Sequence, residues 1–301
     1  MVGRRIEILD STLRDGAQSE GISFSVSDKL NIVKALDCFG IDYIEAGNPG
    51  SNPKDMDFFQ QAARLKLKHA KLCAFGSTCR TGIHPEDDKN IRALINTGLD
   101  TLVIFGKAWD LHVEKVLNIS KAENLKIVEQ TISYLKSLGK YIIFDAEHFF
   151  DGYKSDADYA LEVLRYAVKG GADVLTLCDT NGGSLPDEVE RITEAVLSLF
   201  PHCSIAIHCH NDTGCAVANS LAAVNAGAGM VHGTFTGIGE RCGNADLSVI
   251  LPNLKLKMGY TCNGDISQLY SVARRIAYIS NTQIDNNRPY VGKSAFAHKG
   301  G

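Results

Sequence analysis

No basic block, no CxxC pair and no long apolar run occurs along these 301 residues, and each absence removes a class of protein. The 31 Lys and Arg and 35 Asp and Glu are spread along the chain with a net charge of -4, so nothing tracks a phosphate backbone. Nucleic acid is not an expected partner. The nine cysteines are an odd number, and Cys203, Cys209 and Cys215 recur every six residues, a spacing that fits neither zinc knuckles nor redox pairs. They read as buried reduced thiols in a cytosolic protein. The N-terminal MVGRRIEILD has no long apolar core, and no uninterrupted apolar run approaches the roughly 20 residues that span a bilayer. A soluble, cytoplasmic protein without membrane contact is expected.

What is present is an alternation. Short β-rich runs, IEIL (6–9), IDYIE (41–45), KLCAF (71–75), TLVIF (101–105), YIIFD (141–145), DVLTL (173–177), SIAIH (204–208) and MVHGTF (230–235), make eight candidate strands. Helical spacing follows each, at 27–39, 53–66, 86–97, 115–138, 156–169, 186–199, 214–226 and 245–257. Gly40, Gly98, Gly139, Gly170 and Gly227 stand after helices, where a left-handed residue commonly stops the coil. Eight such units predict an α/β fold, a (β/α)8 TIM barrel over residues 1–260. A doubly wound open sheet is the alternative, weakened because no GxGxxG turn follows the first strand. Residues 261–301 read as one more helix and an irregular tail, a short C-terminal extension.

In a barrel, chemistry belongs at the C-terminal ends of the strands. There the polar residues gather: Asp10, Arg14, Asp15 and Gln18; Glu45; Asp145 and Glu147; Asp179, Thr180 and Asn181; His208, His210, Asn211 and Asp212; Glu240, Arg241 and Asn244. Their concentration argues for one site. In IHCHND (207–212) alternate strand residues share a face, so His208 and His210 point one way and Cys209 the other. Paired imidazoles with a carboxylate and an amide oxygen make a shell for Zn, Mn, Fe or Co that Mg also tolerates. Arg14, beside Asp15, is placed either as a surface ion pair or as a guanidinium that holds a carbonyl or enolate oxygen.

DSTLRDGAQ, HCHND and GIGERCGNADL together resemble the DRE-TIM metallolyase family, which includes the isopropylmalate, homocitrate and citramalate synthases and hydroxymethylglutaryl-CoA lyase. EGISFSVSDKL, PGSNPKD, FGKAWDLHV, DAEHFFDGYK, LCDTNGGSLP and SAFAHKGG, running the full length of the chain, are similar to its citramalate synthase branch. The resemblance implies a Claisen-type condensation of acetyl-CoA with a small 2-oxo acid, pyruvate first, and a place in amino-acid (isoleucine) biosynthesis. It implies a divalent metal (Mn, Mg, Zn or Co) on Asp15, His208 and His210, with Asn244 in or beside the shell. It gives Arg14 the substrate carbonyl, Thr180 the 2-oxo acid carboxylate, Gln18 a place beside the substrate, and Glu147 proton transfer. It also implies a homodimer with exchanged C-terminal segments. Family members continue past HKGG into a histidine-bearing segment and a regulatory domain, so a chain ending at Gly301 is expected to lack both, and with them end-product inhibition. Asn48 stands where related synthases carry an aromatic residue, which leaves the 2-oxo acid open. Three alternatives remain: a longer-chain synthase, a carbon–carbon lyase of the same family, and a barrel that binds metal and oxo acid without turnover.

Overall fold

The eight apolar runs are eight strands, and they close on themselves. The computed structural model describes residues 3–300. Strands β1 (Glu7–Asp10), β2 (Tyr43–Glu45), β3 (Lys71–Ser77), β4 (Thr101–Lys107), β5 (Tyr141–Glu147), β6 (Val174–Asp179), β7 (Ser204–Cys209) and β8 (Met230–Gly233) pair in parallel, each with the next. The last pairs with the first, Glu7 opposite Met230 through Asp10 opposite Gly233, so the sheet is a barrel and not an open doubly wound sheet.

Helices α1 (Val26–Phe39), α2 (Pro53–Ala62), α3 (Lys89–Asn96), α4 (Lys121–Ser137), α5 (Ala157–Gly170), α6 (Pro186–Leu199), α7 (Ala216–Ala226) and α8 (Leu247–Pro252) follow the strands in turn. Their starts are written locally: Ser25 and Asp28 form a reciprocal capping box on α1, and Asp88 accepts from the Asn90 and Ile91 amides at α3. Two expectations shift. The helix predicted over 115–138 is broken, because Asn118 takes a left-handed conformation after a π turn at Val113–Leu117 and Ser120 then caps a fresh start. Gly170 lies inside its helix and Gly171, at φ 95°, ends it. Gly170 is needed for another reason: a Cβ there would stand 2.8 Å from Cβ of Ile132 on α4.

Because the strands are covered on both faces, they read as mainly apolar runs and not as alternating ones, with the charged side chains toward their ends. One set of side chains packs outward against the helices, in a continuous core that includes Ile8, Ile44, Leu102, Phe144 and Ile207. The other set fills the barrel interior with Leu9, Tyr43, Cys73, Val103, Ile143, Val174, Ala206 and Met230. Full burial of one such aliphatic chain is worth about 1.5–3 kcal/mol. That plug therefore holds the barrel closed from within, and the layer above it can carry charge. Beyond the barrel, α9 (Leu269–Ile279) packs back on α1. No helix among the described residues is long and apolar enough to cross a membrane.

Candidate metal and catalytic site

The strand alternation that buries Ala206 inside the barrel also aims His208 and His210 inward, and it turns Cys209 into the outer core. Their partner arrives from β1, two strands away across β8. After β1, Asp10 accepts hydrogen bonds from the amide and hydroxyl of Thr12, at 3.0 and 2.9 Å, and the Asp15 amide donates to the Ser11 carbonyl. This tight turn brings the Asp15 carboxylate over the mouth of the barrel. Nε2 of His208 lies 3.3 Å from Asp15 Oδ2 and 3.2 Å from Nε2 of His210, which is itself 3.7 Å from the carboxylate oxygen.

All three side chains are buried, and among the described residues they form the group of His, Cys, Asp and Glu ligand atoms close enough together to hold an ion. Ligand bonds of about 2.0–2.2 Å at tetrahedral or octahedral angles set ligand atoms roughly 3–3.6 Å apart. Two of the three separations fall in that range and the third, at 3.7 Å, lies just beyond it, so the triangle suits a first-row or similar divalent cation. Asn244 is drawn alongside by an antiparallel bridge to His210, and both polar atoms of its buried side chain lack a hydrogen-bond partner. A buried amide left unpartnered is costly, and a ligand beside it relieves that cost.

Burial and neighbouring charges set the protonation of the triangle. Burial alone would raise the Asp15 carboxyl, but the Arg14 guanidinium and the two imidazoles outweigh it and hold the group well below the usual carboxylate range. Burial, reinforced by the His208 charge, lowers His210 to about 3, so it is a neutral donor. His208 is opposed by burial yet raised by its bond to Asp15. Beneath them lies a second set of ionisable groups, Glu45, Asp145 and His232. Burial pushes both carboxyls up and holds His232 neutral.

Arg14 is no surface residue. Its Nε donates to Glu45 Oε2 at 2.6 Å, Nη1 lies 3.4 Å from Asp15, and the guanidinium carbon stands 3.9 Å from the centre of the Phe75 ring. These three contacts fix a planar fork in the wall of a cavity of about 340 Å³. Gln18, Asp145, Glu147, Thr180 and both histidines line the same space. Thr180 is oriented from behind: the His148 amide donates to its Oγ1 at 2.9 Å. One lone pair is thereby used, and the hydroxyl proton is left to point at a guest.

The remaining rim residues serve the loops. Asp179 accepts from Gly183, Ser184 and Asn219; Asn181 donates to Asp151; Asn211 caps α7 through the Ala216 amide. Arg241 ties Asp212 to the Thr180 carbonyl, at 2.9 and 2.7 Å. Glu240 does reach the cavity, and Asn48 forms part of its wall. Sequence reasoning missed Phe75, Phe105 and Cys178, which line it, and Lys107, which pairs with Glu147. Strand parity was the signal that could have found them: each lies an even number of positions from an inward residue of its own strand, Cys73, Val103 or Val174.

Comparison with known proteins agrees with the architecture. A family model described as HMGL-like matches residues 5–276. The (R)-citramalate synthase of Aquifex aeolicus is 52% identical over 302 residues, which cover 100% of this chain and 57% of that protein. That of Synechocystis is 50% identical over 303 residues, with coverage of 98% and 55%. The 2-isopropylmalate synthase of Methanocaldococcus jannaschii is 35% identical over 297 residues, 99% of this chain and 55% of that protein. Among solved structures, the HMG-CoA lyase of Bacillus subtilis superposes with a TM-score of 0.80 at 23% identity, covering 94% of this chain and 97% of that one. At that identity the likeness concerns the fold. The chain spans about half the length of the curated citramalate synthases it matches.

Proposed function

The chain belongs to the HMGL-like family, and from that membership we propose that it is the barrel of a metal-dependent synthase joining acetyl-CoA to pyruvate to give citramalate. The observation that carries the reading is the meeting of Asp15, His208 and His210 beside Arg14 and Thr180 in one cavity, with Glu147 on its wall.

A divalent cation held by Asp15, His208 and His210, with Asn244 beside them, supplies Lewis-acid polarisation to the bound oxo acid. The chain's own side chains do the rest. Thr180 donates its hydroxyl proton to the 2-oxo acid carboxylate. Arg14 directs its free N–H groups at a carbonyl or enolate oxygen, a position where one fixed donor is typically worth about 2.7–4 kcal/mol. Glu147 takes a proton from the acetyl methyl group, the resulting carbanion adds to the keto carbon, and the new alkoxide is protonated. Water then cleaves the thioester and releases CoA as its thiol. Glu45 and Asp145, buried under the triangle, set the field in which Arg14 sits.

The lyase alternative has less support. Its loop would bring a cysteine to the reacting carbon, whereas Cys242 is exposed and lines a different cavity together with Asn211 and Arg288. Cys178 is the thiol in the catalytic cavity wall, and burial raises it well above the ordinary thiol range, so it stays protonated.

The reading is tested by incubating the protein with a divalent metal, acetyl-CoA and a panel of 2-oxo acids while following free thiol. Metal-dependent release with pyruvate is the expected result, and no release with any oxo acid refutes a synthase. Within that assay, Thr180→Val should raise KM for pyruvate about tenfold or more, since a hydrogen bond to a charged group contributes about 1.5–3 kcal/mol. An unchanged KM removes Thr180 from carboxylate recognition.

A further inference from the structure

Glu147 is not alone at the end of its strand. Lys107 closes β4 as Glu147 closes β5, and the two stand opposite each other in the last rung of the parallel ladder. Both belong to the inward-facing set, two residues beyond Phe105 and Asp145. Their side chains form an ion pair, each mostly shielded from solvent, at 19% and 24% exposure.

The backbone on both sides of this pair is pinned. Asn124, near the start of α4, donates to the Lys107 carbonyl at 2.9 Å and to the Tyr159 hydroxyl at 2.8 Å, while the Ala108 amide donates to the Glu147 carbonyl at 3.1 Å. The two strand ends therefore cannot slide apart without breaking buried hydrogen bonds. The ammonium also faces the Phe105 ring, 5.9 Å from its centre; Phe105 stacks on Phe75 at 5.0 Å, and Phe75 carries Arg14 at 3.9 Å. A rigid aromatic wall thus has a cation at each end, one beside the metal triangle and one beside the carboxylate of β5.

We propose that Lys107 is the positioning residue of Glu147, holding its carboxylate against the cavity wall at a fixed distance from Arg14. This rests on the reading that Glu147 accepts the methyl proton. A carboxylate on a two-carbon stem at the edge of a cavity otherwise samples several rotamers, and proton transfer needs heavy atoms within about 3.2 Å. A partly buried cation in register with it selects one. The pair also explains why the strand ends in lysine, since a long cationic side chain at this depth needs a partner of opposite charge.

The test is a double-mutant cycle on metal-loaded protein, using Lys107→Met, Glu147→Gln and both together, with Lys107→Arg as the conservative variant. Lys107→Met should lower kcat about tenfold, leave metal content and KM for pyruvate unchanged, and add nothing in the Glu147→Gln background. Lys107→Arg should restore most of the loss. Additive losses in the double variant would overturn the proposal by showing that Lys107 acts without Glu147. So would a raised KM for acetyl-CoA at constant kcat, the mark of a cation that binds substrate. A wild-type kcat in Lys107→Met while Glu147→Gln is crippled refutes the positioning role alone. Wild-type turnover in Glu147→Gln refutes the proton-transfer reading, and the positioning role falls with it.

Discussion

Asp15→Ala and His210→Ala are each expected to strip the protein of stoichiometric divalent metal while leaving the barrel folded. The three ligand atoms lie 3.2–3.7 Å apart on buried side chains, so nothing flexible can take over a vacated position. Even residues that merely orient ligands cost 10–100-fold in affinity when replaced. Loss of a ligand should exceed about a hundredfold. The fold should survive because neither residue belongs to the apolar plug inside the barrel or to the outer core. Removing Asp15 also leaves no bare buried cation, since Arg14 keeps its bond to Glu45. The usual penalty of breaking a buried pair, about 3–5 kcal/mol, is thereby avoided. Metal content after dialysis, measured beside circular dichroism, decides the matter: one retained equivalent in either variant shows that the ligands are elsewhere.

The architecture was legible because parallel strands buried on both faces read as uninterrupted apolar runs, and eight of them at regular spacing leave few alternatives. The shared direction of His208 and His210 was legible for a different reason. Histidines one residue apart on a strand must share a face, and a barrel gives that face only one place to look. Direction was not legible at the strand ends, where the chain leaves the ladder. Position after the candidate strands placed Asp10, Asp179, Asn181 and Asp212 at the rim with Asp15 and Thr180, but whether each faces the cavity or braces a loop depends on the turn that follows. Asp10 braces the turn that delivers Asp15, and Asp179 ties the loop after β6 to α7. The aromatic wall escaped notice because Phe75 and Phe105 sit in runs that look like ordinary core. Only strand parity separates them from their outward neighbours. The break at Asn118 escaped because the helical periodicity continues across it.

Glu147→Gln should keep its metal and lose turnover by roughly a thousandfold, within the 10²–10⁴ range of positioned acid–base groups. Apart from the metal ligand Asp15, three inward carboxyls are candidates for the base: Glu45, Asp145 and Glu147. Glu45 is fully buried and committed to Arg14 through a 2.6 Å bond. Asp145 is also buried, and its burial, with the Glu45 charge beside it, raises it to about 7, so near neutrality about half of it is protonated. A protonated acid cannot take a methyl proton. Glu147 lies two residues further along the same face of β5, is 24% exposed where Asp145 is buried, and has the Lys107 ammonium as its partner. Glutamine keeps the shape and removes the basicity, so the substitution separates proton transfer from packing. Washout of the acetyl-CoA methyl protons into deuterated water in the presence of a 2-oxo acid, read by NMR beside kcat, distinguishes the candidates. Loss of both with full metal occupancy assigns the step to Glu147. Retained exchange would move the base to Asp145, whose replacement by asparagine would then have to abolish it.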